Sequence, residues 1–327
     1  MKYYTCANTS GGLVDFTEEN IFDINTKIEL KCTNNNISDY ILSQICTDSA
    51  ESIIEVGYSD LKSGIVIRDK DIAIIKNCKS PTRIIYFDDY FGEPVQSAET
   101  KQLYQGMLSA YSDAKAIHDE WESIYIKNMD FDRLNKFGDD VIQGILKDKI
   151  GNGVGKTYKR FFGTTTADGP TNHIDDITKG LNKRYFIKGR PGTGKSTFLK
   201  KLSKELRDRS FDAEEYYCSF DKSSLDMVVS RELAICVFDS TAPHEKFPSG
   251  ETDEILDFYI NSGLEGIDEE YKKELYEIEE QYNRKIYEGK KNLIAYLKEN
   301  KKCHDLTDIH RLNEICDKIV RDIKEII

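Results

Sequence analysis

Apolar residues recur along the chain with two different periods, and the alternation between them sets out the expected elements. Short apolar runs at Ile28–Leu30, Ile72–Ile75, Arg184–Lys188, Ala213–Phe220 and Leu233–Phe238 read as strands. From Thr197 to Arg207 the period changes to that of a helix. Phe198, Leu199, Leu202 and Leu206 fall on one side, and Lys200, Lys201, Lys204 and Glu205 on the other. Ile267–Glu299 is expected to be one long helix, or a hairpin broken near Gly289, with Tyr271, Leu275, Ile278, Tyr282 and Ile286 stepping by four and three. A shorter counterpart is expected over Ala98–Asn128, where Ile117, Trp121 and Ile124 share a face and His118 and Glu122 are four apart. Ser223–Val229 is expected to form a short helix or turn.

Between the strand ending at Lys188 and the helix from Thr197 stands Gly189-Arg190-Pro191-Gly192-Thr193-Gly194-Lys195-Ser196, which fits G-x-x-x-x-G-K-(S/T). A polyphosphate needs many N–H donors at close range. Gly189, Gly192 and Gly194 remove side chains from the approach and permit positive φ. The helix start adds its dipole. Lys195 is expected to bridge the β- and γ-phosphates, Ser196 to ligate Mg²⁺, and Thr197 to offer a hydroxyl to the α-phosphate. Leu233–Phe238, apolar throughout as parallel strands are, ends at Asp239, the expected second Mg²⁺ ligand through water. The following residue is Ser240, so no adjacent glutamate is present to activate water. In the run Asp239–Glu245, Thr241 and His244 are placed to face the γ-phosphate and Glu245 to orient a nucleophile. Asp221, at another strand end, is a candidate for holding a second substrate's hydroxyl, or a helix cap.

The first residues, Lys2-Tyr3-Tyr4 through Gly11-Gly12, echo Arg160-Phe161-Phe162 through Gly169-Pro170. Lys27–Lys31 matches Arg184–Lys188, IAII at 72–75 matches LAIC at 233–236, Ile84-Ile85-Tyr86-Phe87 matches Ile255-Leu256-Asp257-Phe258, and Ala116-Ile117-His118-Asp119 matches Lys302-Cys303-His304-Asp305. Matches in one order imply a tandem duplication. The expected units are residues 1–148, a linker 149–159, and 160–327 with a helical arm at 267–300. The first copy has Thr33-Asn34-Asn35-Asn36-Ile37-Ser38 in place of the glycine loop, and Lys76, Asn77 and Cys78 around the place of Asp239. It is read as degenerate. Gly151-Asn152-Gly153-Val154-Gly155-Lys156-Thr157 ends in G-K-T but follows a helical pattern, so it is read as a flexible linker.

The net charge is -12 over 327 residues, with 32% charged residues, which argues against general nucleic-acid or anionic-membrane binding. Lys179, Lys183, Arg184, Lys188, Arg190 and Lys195 nevertheless crowd the loop. The eight cysteines are scattered without C-x-x-C pairs, and no apolar run is long enough to span a bilayer, so a cytoplasmic protein is expected.

RYFIKGRPGTGKST, CSFDKSSLDMVV, LAICVFDSTAPHEKFPS and IHDEWE together resemble a family of duplicated P-loop proteins of spore-forming Gram-positive bacteria, carried under ATPase or nucleotide-kinase-like labels. The resemblance covers nearly the whole chain. Family members carry a phosphate loop in each half, and this chain departs from that in its first half. The expected fold is therefore α/β, with two tandem P-loop NTPase-like lobes built on parallel sheets, the first degenerate, each with a C-terminal helical arm. The expected ligands are ATP and Mg²⁺, with slow hydrolysis or phosphoryl transfer, or a nucleotide-gated binding module as the alternative. The arms are candidate surfaces for a protein partner or a dimer.

Overall fold

Each strand cluster of the sequence closes into a six-stranded sheet. In the computed structural model, residues 1–32, 34–76, 78–86, 97–242, 244–304 and 313–326 are described; Thr33, Asn77, Phe87, Pro243 and Asp305 lie outside them. The first half runs β1 (Lys2–Tyr3), β2 (Cys6–Thr9), β3 (Gly12–Asp15), α1 (Thr17–Asn20), β4 (Thr26–Lys31), α2 (Asn35–Ile45), β5 (Glu51–Ile54), β6 (Lys62–Ile67), β7 (Ile72–Ile75), β8 (Arg83–Tyr86), α3 (Ala98–Asn128) and α4 (Phe131–Leu146). The second runs β9 (Thr157–Arg160), β10 (Gly163–Thr166), β11 (Gly169–Asn172), α5 (Ile174–Ile177), β12 (Lys183–Lys188), α6 (Lys195–Asp208), β13 (Ala213–Tyr217), β14 (Leu225–Ser230), β15 (Ile235–Asp239) and β16 (Glu254–Asp257). Helices α7 (Phe258–Asn261), α8 (Ile267–Glu270), α9 (Lys272–His304) and α10 (Asn313–Lys324) follow.

The two sheets have the same strand order, β1-β5-β6-β7-β4-β8 and β9-β13-β14-β15-β12-β16. Both are mixed rather than fully parallel as expected: β6 and β14 each run antiparallel to both neighbours. The cause in the second half is a tight connection after β13. Asp221 accepts from the backbone N–H and the hydroxyl of Ser223, at 2.8 and 2.7 Å, and reverses the chain. The stretch read as a helix or turn at Ser223–Val229 is therefore mostly strand, with all six residues of β14 buried.

The matching extends to the turns. Thr9 and Thr166 donate their hydroxyls to the carbonyls of Gly12 and Gly169, at 2.9 and 2.7 Å. Both glycines have positive φ, +101° and +120°. Strand register corrects the alignment in detail. Tyr4 bridges Phe161 directly, so Lys2 matches Lys159, one residue earlier than the sequence echo suggested. Similarly, IAII of β7 matches Ile235–Phe238 rather than LAIC.

Period-2 alternation explains why the strands are apolar on both faces. Ile65, Ile67, Ile72 and Ile74 pack on α2, while Val66, Ala73 and Ile75 face the other sheet, meeting a layer that contains Phe186, Met227, Val229, Cys236 and Phe238. The sheets thus pack against each other, with helices outside.

The terminal helices are exchanged between the halves. Leu134, Ile142, Ile145 and Leu146 of α4 join the core of the second sheet with α6, and Cys316, Ile319, Val320 and Ile323 of α10 join that of the first sheet with α2. Helix α3 reaches across as well and lies antiparallel to α9. Its early residues Met107 and Tyr111 meet Leu293, and its late residues Ile124 and Tyr125 meet Leu275 and Ile278. Helix α9 begins at Lys272 after the separate turn α8, and it runs through Gly289 without a break. The expected linker is tied down. Gly151 N–H donates to Arg209 O, Ala213 N–H donates to Lys156 O, and a Cβ on Gly155 would fall 2.6 Å from Phe211 O. These glycines admit the end of α6, and β9 starts at Thr157, inside the range read as linker. Among the described residues, no helix is long and apolar enough to cross a membrane.

Candidate functional site

The loop 189–194 leaves the carboxyl end of β12 and enters α6. Gly192 and Gly194 sit at φ +76° and +77°, where a side chain is strained. A Cβ on Gly189 would lie 2.6 Å from Thr193 Oγ1. Thr193 is buried, and its hydroxyl donates to Arg190 O at 2.8 Å, closing the loop on itself. Lys195 folds back over the loop, its Nζ 2.8 Å from Arg190 O and 3.6 Å from Asp239. Ser196 Oγ accepts the backbone N–H of Leu225 at 2.9 Å, while Thr197 is exposed at the surface of the first turn. Lys183, Arg184, Lys188 and Arg190 are each ion-paired, with Glu254, Asp253, Glu245 and Asp268. The basic crowd of the sequence is therefore largely neutralised, and Lys195 stands nearest the loop's backbone.

Asp239 ends β15 and accepts from the backbone N–H and the hydroxyl of Thr241, at 3.1 and 2.7 Å. Opposite it stands a carboxylate that sequence reading missed. The antiparallel register pairs Met227 with Phe238, which sets Asp226 across from Asp239 on the α6 side of the sheet. Burial first, and the Asp239 charge second, push the Asp226 carboxyl up to about 7. Asp226 and Asp239, with Ser196 Oγ held by the N–H of Leu225 next to Asp226, are hard oxygen groups of the kind a divalent cation takes. The available signal was a lone aspartate in the apolar stretch Leu225–Val229.

The remaining candidates have structural partners. Half-buried His244 sets its ring edge-on to Phe162 at 4.9 Å, and desolvation holds its imidazole below the usual range. Glu245 pairs with Lys188 at 3.0 Å, and Lys188 also donates to Ser240 O. Asp221 forms the turn described above and pairs with Lys115 at 3.4 Å.

Lys115 belongs to α3, from the first half. A Cβ on Gly192 would lie 2.8 Å from Glu122 O, so α3 rests directly on the loop. A Cβ on Gly194 would lie 3.0 Å from Leu134 of α4. Asp268 joins the two sides: Arg190 Nε donates to it at 2.9 Å, and so does the Tyr125 hydroxyl. These particular contacts are not legible along the chain, because α3 and the loop are remote in sequence.

The equivalent place in the first half differs throughout. Residues 32–34 connect β4 to α2, three residues against six for 189–194. The Asn34 side chain accepts from the N–H groups of Asn36 and Ile37, the donors an anion would use. Carrying the β4–β7 register one residue on puts Lys76 in the place of Asp239. Its ammonium pairs with Glu55 at 3.1 Å and donates to Asn35 Oδ1.

Two open surface pockets, of about 310 and 410 Å³, lie elsewhere, one lined by Asp175, Lys179, Arg184 and Asp253, the other along Glu270–Glu277. Comparison with known proteins returns no match, whether to a protein-family model, a curated protein or a solved structure.

Proposed function

We propose that the second half binds ATP with Mg²⁺ on the loop Gly189–Ser196, one nucleotide per chain. The observation that carries this reading is the strand–loop–helix unit with two positive-φ glycines, Lys195 and Ser196 at the helix start, and two carboxylates on the neighbouring strands. Backbone N–H groups of such a loop cradle phosphates, and the lysine reaches the outer ones. Ser196 and Asp239, with Asp226 beside them, would hold Mg²⁺, which supplies charge neutralisation at the phosphates. The shared strand order of the halves supports a tandem duplication of P-loop-like lobes. The three-residue connection and Lys76 support a first lobe that binds no nucleotide.

The reaction that fits is slow hydrolysis, or transfer of the terminal phosphate to an acceptor. The seating of α3 on the loop favours a second reading, in which nucleotide binding shifts α3 and so signals to the first half. Equilibrium dialysis with MgATP tests the proposal. Uptake of one equivalent per chain is expected; none, or two, contradicts it.

A further inference from the structure

We propose that the first half completes the site, with Glu122 of α3 as the carboxylate that orients and deprotonates the water attacking the terminal phosphate, and His118 as its positioning residue. This rests on the nucleotide reading above.

Hydrolysis needs a group that places water in line with the terminal phosphate. The strand that carries Asp239 continues into Ser240, and Glu245 is occupied by Lys188. Glu122, from the other half, meets the loop at Gly192 through its backbone and Cβ, and so brings a carboxylate beside it. Helix α3 is fastened at three places, one on the loop itself and one to either side of it. Tyr125 reaches Arg190 through Asp268, the Glu122 backbone meets Gly192, and Lys115 pairs with Asp221. Lys115, His118 and Glu122 are spaced by three and four, so they lie on one face, and the contacts at both ends turn that face to the loop. Gly192 adjoins the part of the loop over which Lys195 folds, and Lys195 is the residue that reaches the outer phosphates.

The dyad is built for positioning. His118 Nδ1 lies 3.7 Å from the Glu122 carboxylate, is buried, and has no hydrogen-bond partner. The ring is flanked by Tyr282 of α9 at 5.7 Å. A small rotation of Glu122 would satisfy Nδ1 and fix the carboxylate. Glu122 keeps 33% of its side chain exposed, which leaves room for water.

In the step itself, the water oxygen bonds to the γ-phosphorus as the bond from that phosphorus to the β–γ bridging oxygen breaks. The electron pair of the broken bond leaves on ADP. The water proton passes to Glu122 and from there to solvent, and nothing is oxidised or reduced.

The test compares wild type, Glu122→Gln, His118→Ala and Lys195→Ala in two measurements, MgATP affinity by calorimetry and phosphate release at steady state. Glu122→Gln is expected to hold its affinity within about threefold while kcat falls on the order of 10²- to 10³-fold, the range of a lost general base. His118→Ala should lower kcat with KM unchanged. A Glu122→Gln variant that releases phosphate at the wild-type rate overturns the proposal, as does a wild type that binds MgATP and releases no phosphate. A wild type that binds no MgATP, or a Lys195→Ala variant with undiminished affinity, instead removes the nucleotide reading on which the proposal stands.

Discussion

Gly192 answers to two constraints at once, a backbone φ of +76° and the carbonyl of Glu122 where a Cβ would sit. Gly192→Ala is therefore expected to cost about 1–3 kcal/mol, from left-handed strain and from a clash with a backbone that cannot rotate away. Thermal or urea unfolding checks this, and an unchanged midpoint would show that α3 does not press on the loop. The loop residues were legible in the sequence because the motif is contiguous and each type has a local reason. Asp226, and the seating of Glu122 on Gly192, were not, because each depends on a strand register or a helix crossing. Reading along the chain from Asp239 instead favoured His244 and Glu245, which in the fold meet Phe162 and Lys188.

Among the elements, the arms were the most legible. Their apolar spacing places helices close to Ala98–Asn128 and Lys272–His304, since a long amphipathic helix repeats its signal over many turns. Strand β14 was misread because six residues with one aspartate carry too short a pattern to separate strand from helix. Gly289 was read as a candidate break, on propensity alone. In the fold it is a notch for the Tyr111 ring of α3, which a Cβ would strike. Gly289→Ala sets a gain in helix propensity of about 1 kcal/mol against overpacking of about 1–3 kcal/mol. A net loss of about 1 kcal/mol is expected. Because the clash is with one ring, Tyr111→Ala should couple to it, so that the double variant loses less than the sum of the two. Strict additivity in unfolding measurements would show that the two helices do not meet there.

The halves form one molecule through exchanged helices and a buried ion cluster, neither of which a linear reading of two domains contains. Arg160 is fully buried, pairs with Glu51 of the first half at 2.9 Å and Glu214 of the second at 3.1 Å, and lies over the Tyr3 ring at 4.0 Å. Burial opposes ionisation of Glu51, but Arg160 and Arg68 outweigh it and hold its carboxyl at about 2, below the usual 4.5. The folded-state value is the lower one, so the stability Glu51 contributes is complete above about 4.5 and is lost as pH falls toward 2. Glu51→Gln should thus cost about 3 kcal/mol at pH 7 by leaving a buried charge underpaired. The gap from wild type should narrow steadily in unfolding measurements taken below pH 4.5. A gap independent of pH would mean that the ion pair is not its source.

Whether the second-half loop holds a triphosphate is measured most directly by calorimetric titration of MgATP into wild type and Lys195→Ala. Loss of the charge-assisted partner of a polyphosphate is expected to weaken binding by about 2–3 kcal/mol, roughly 30- to 150-fold. Equal affinity in the two proteins would contradict the assignment of the loop.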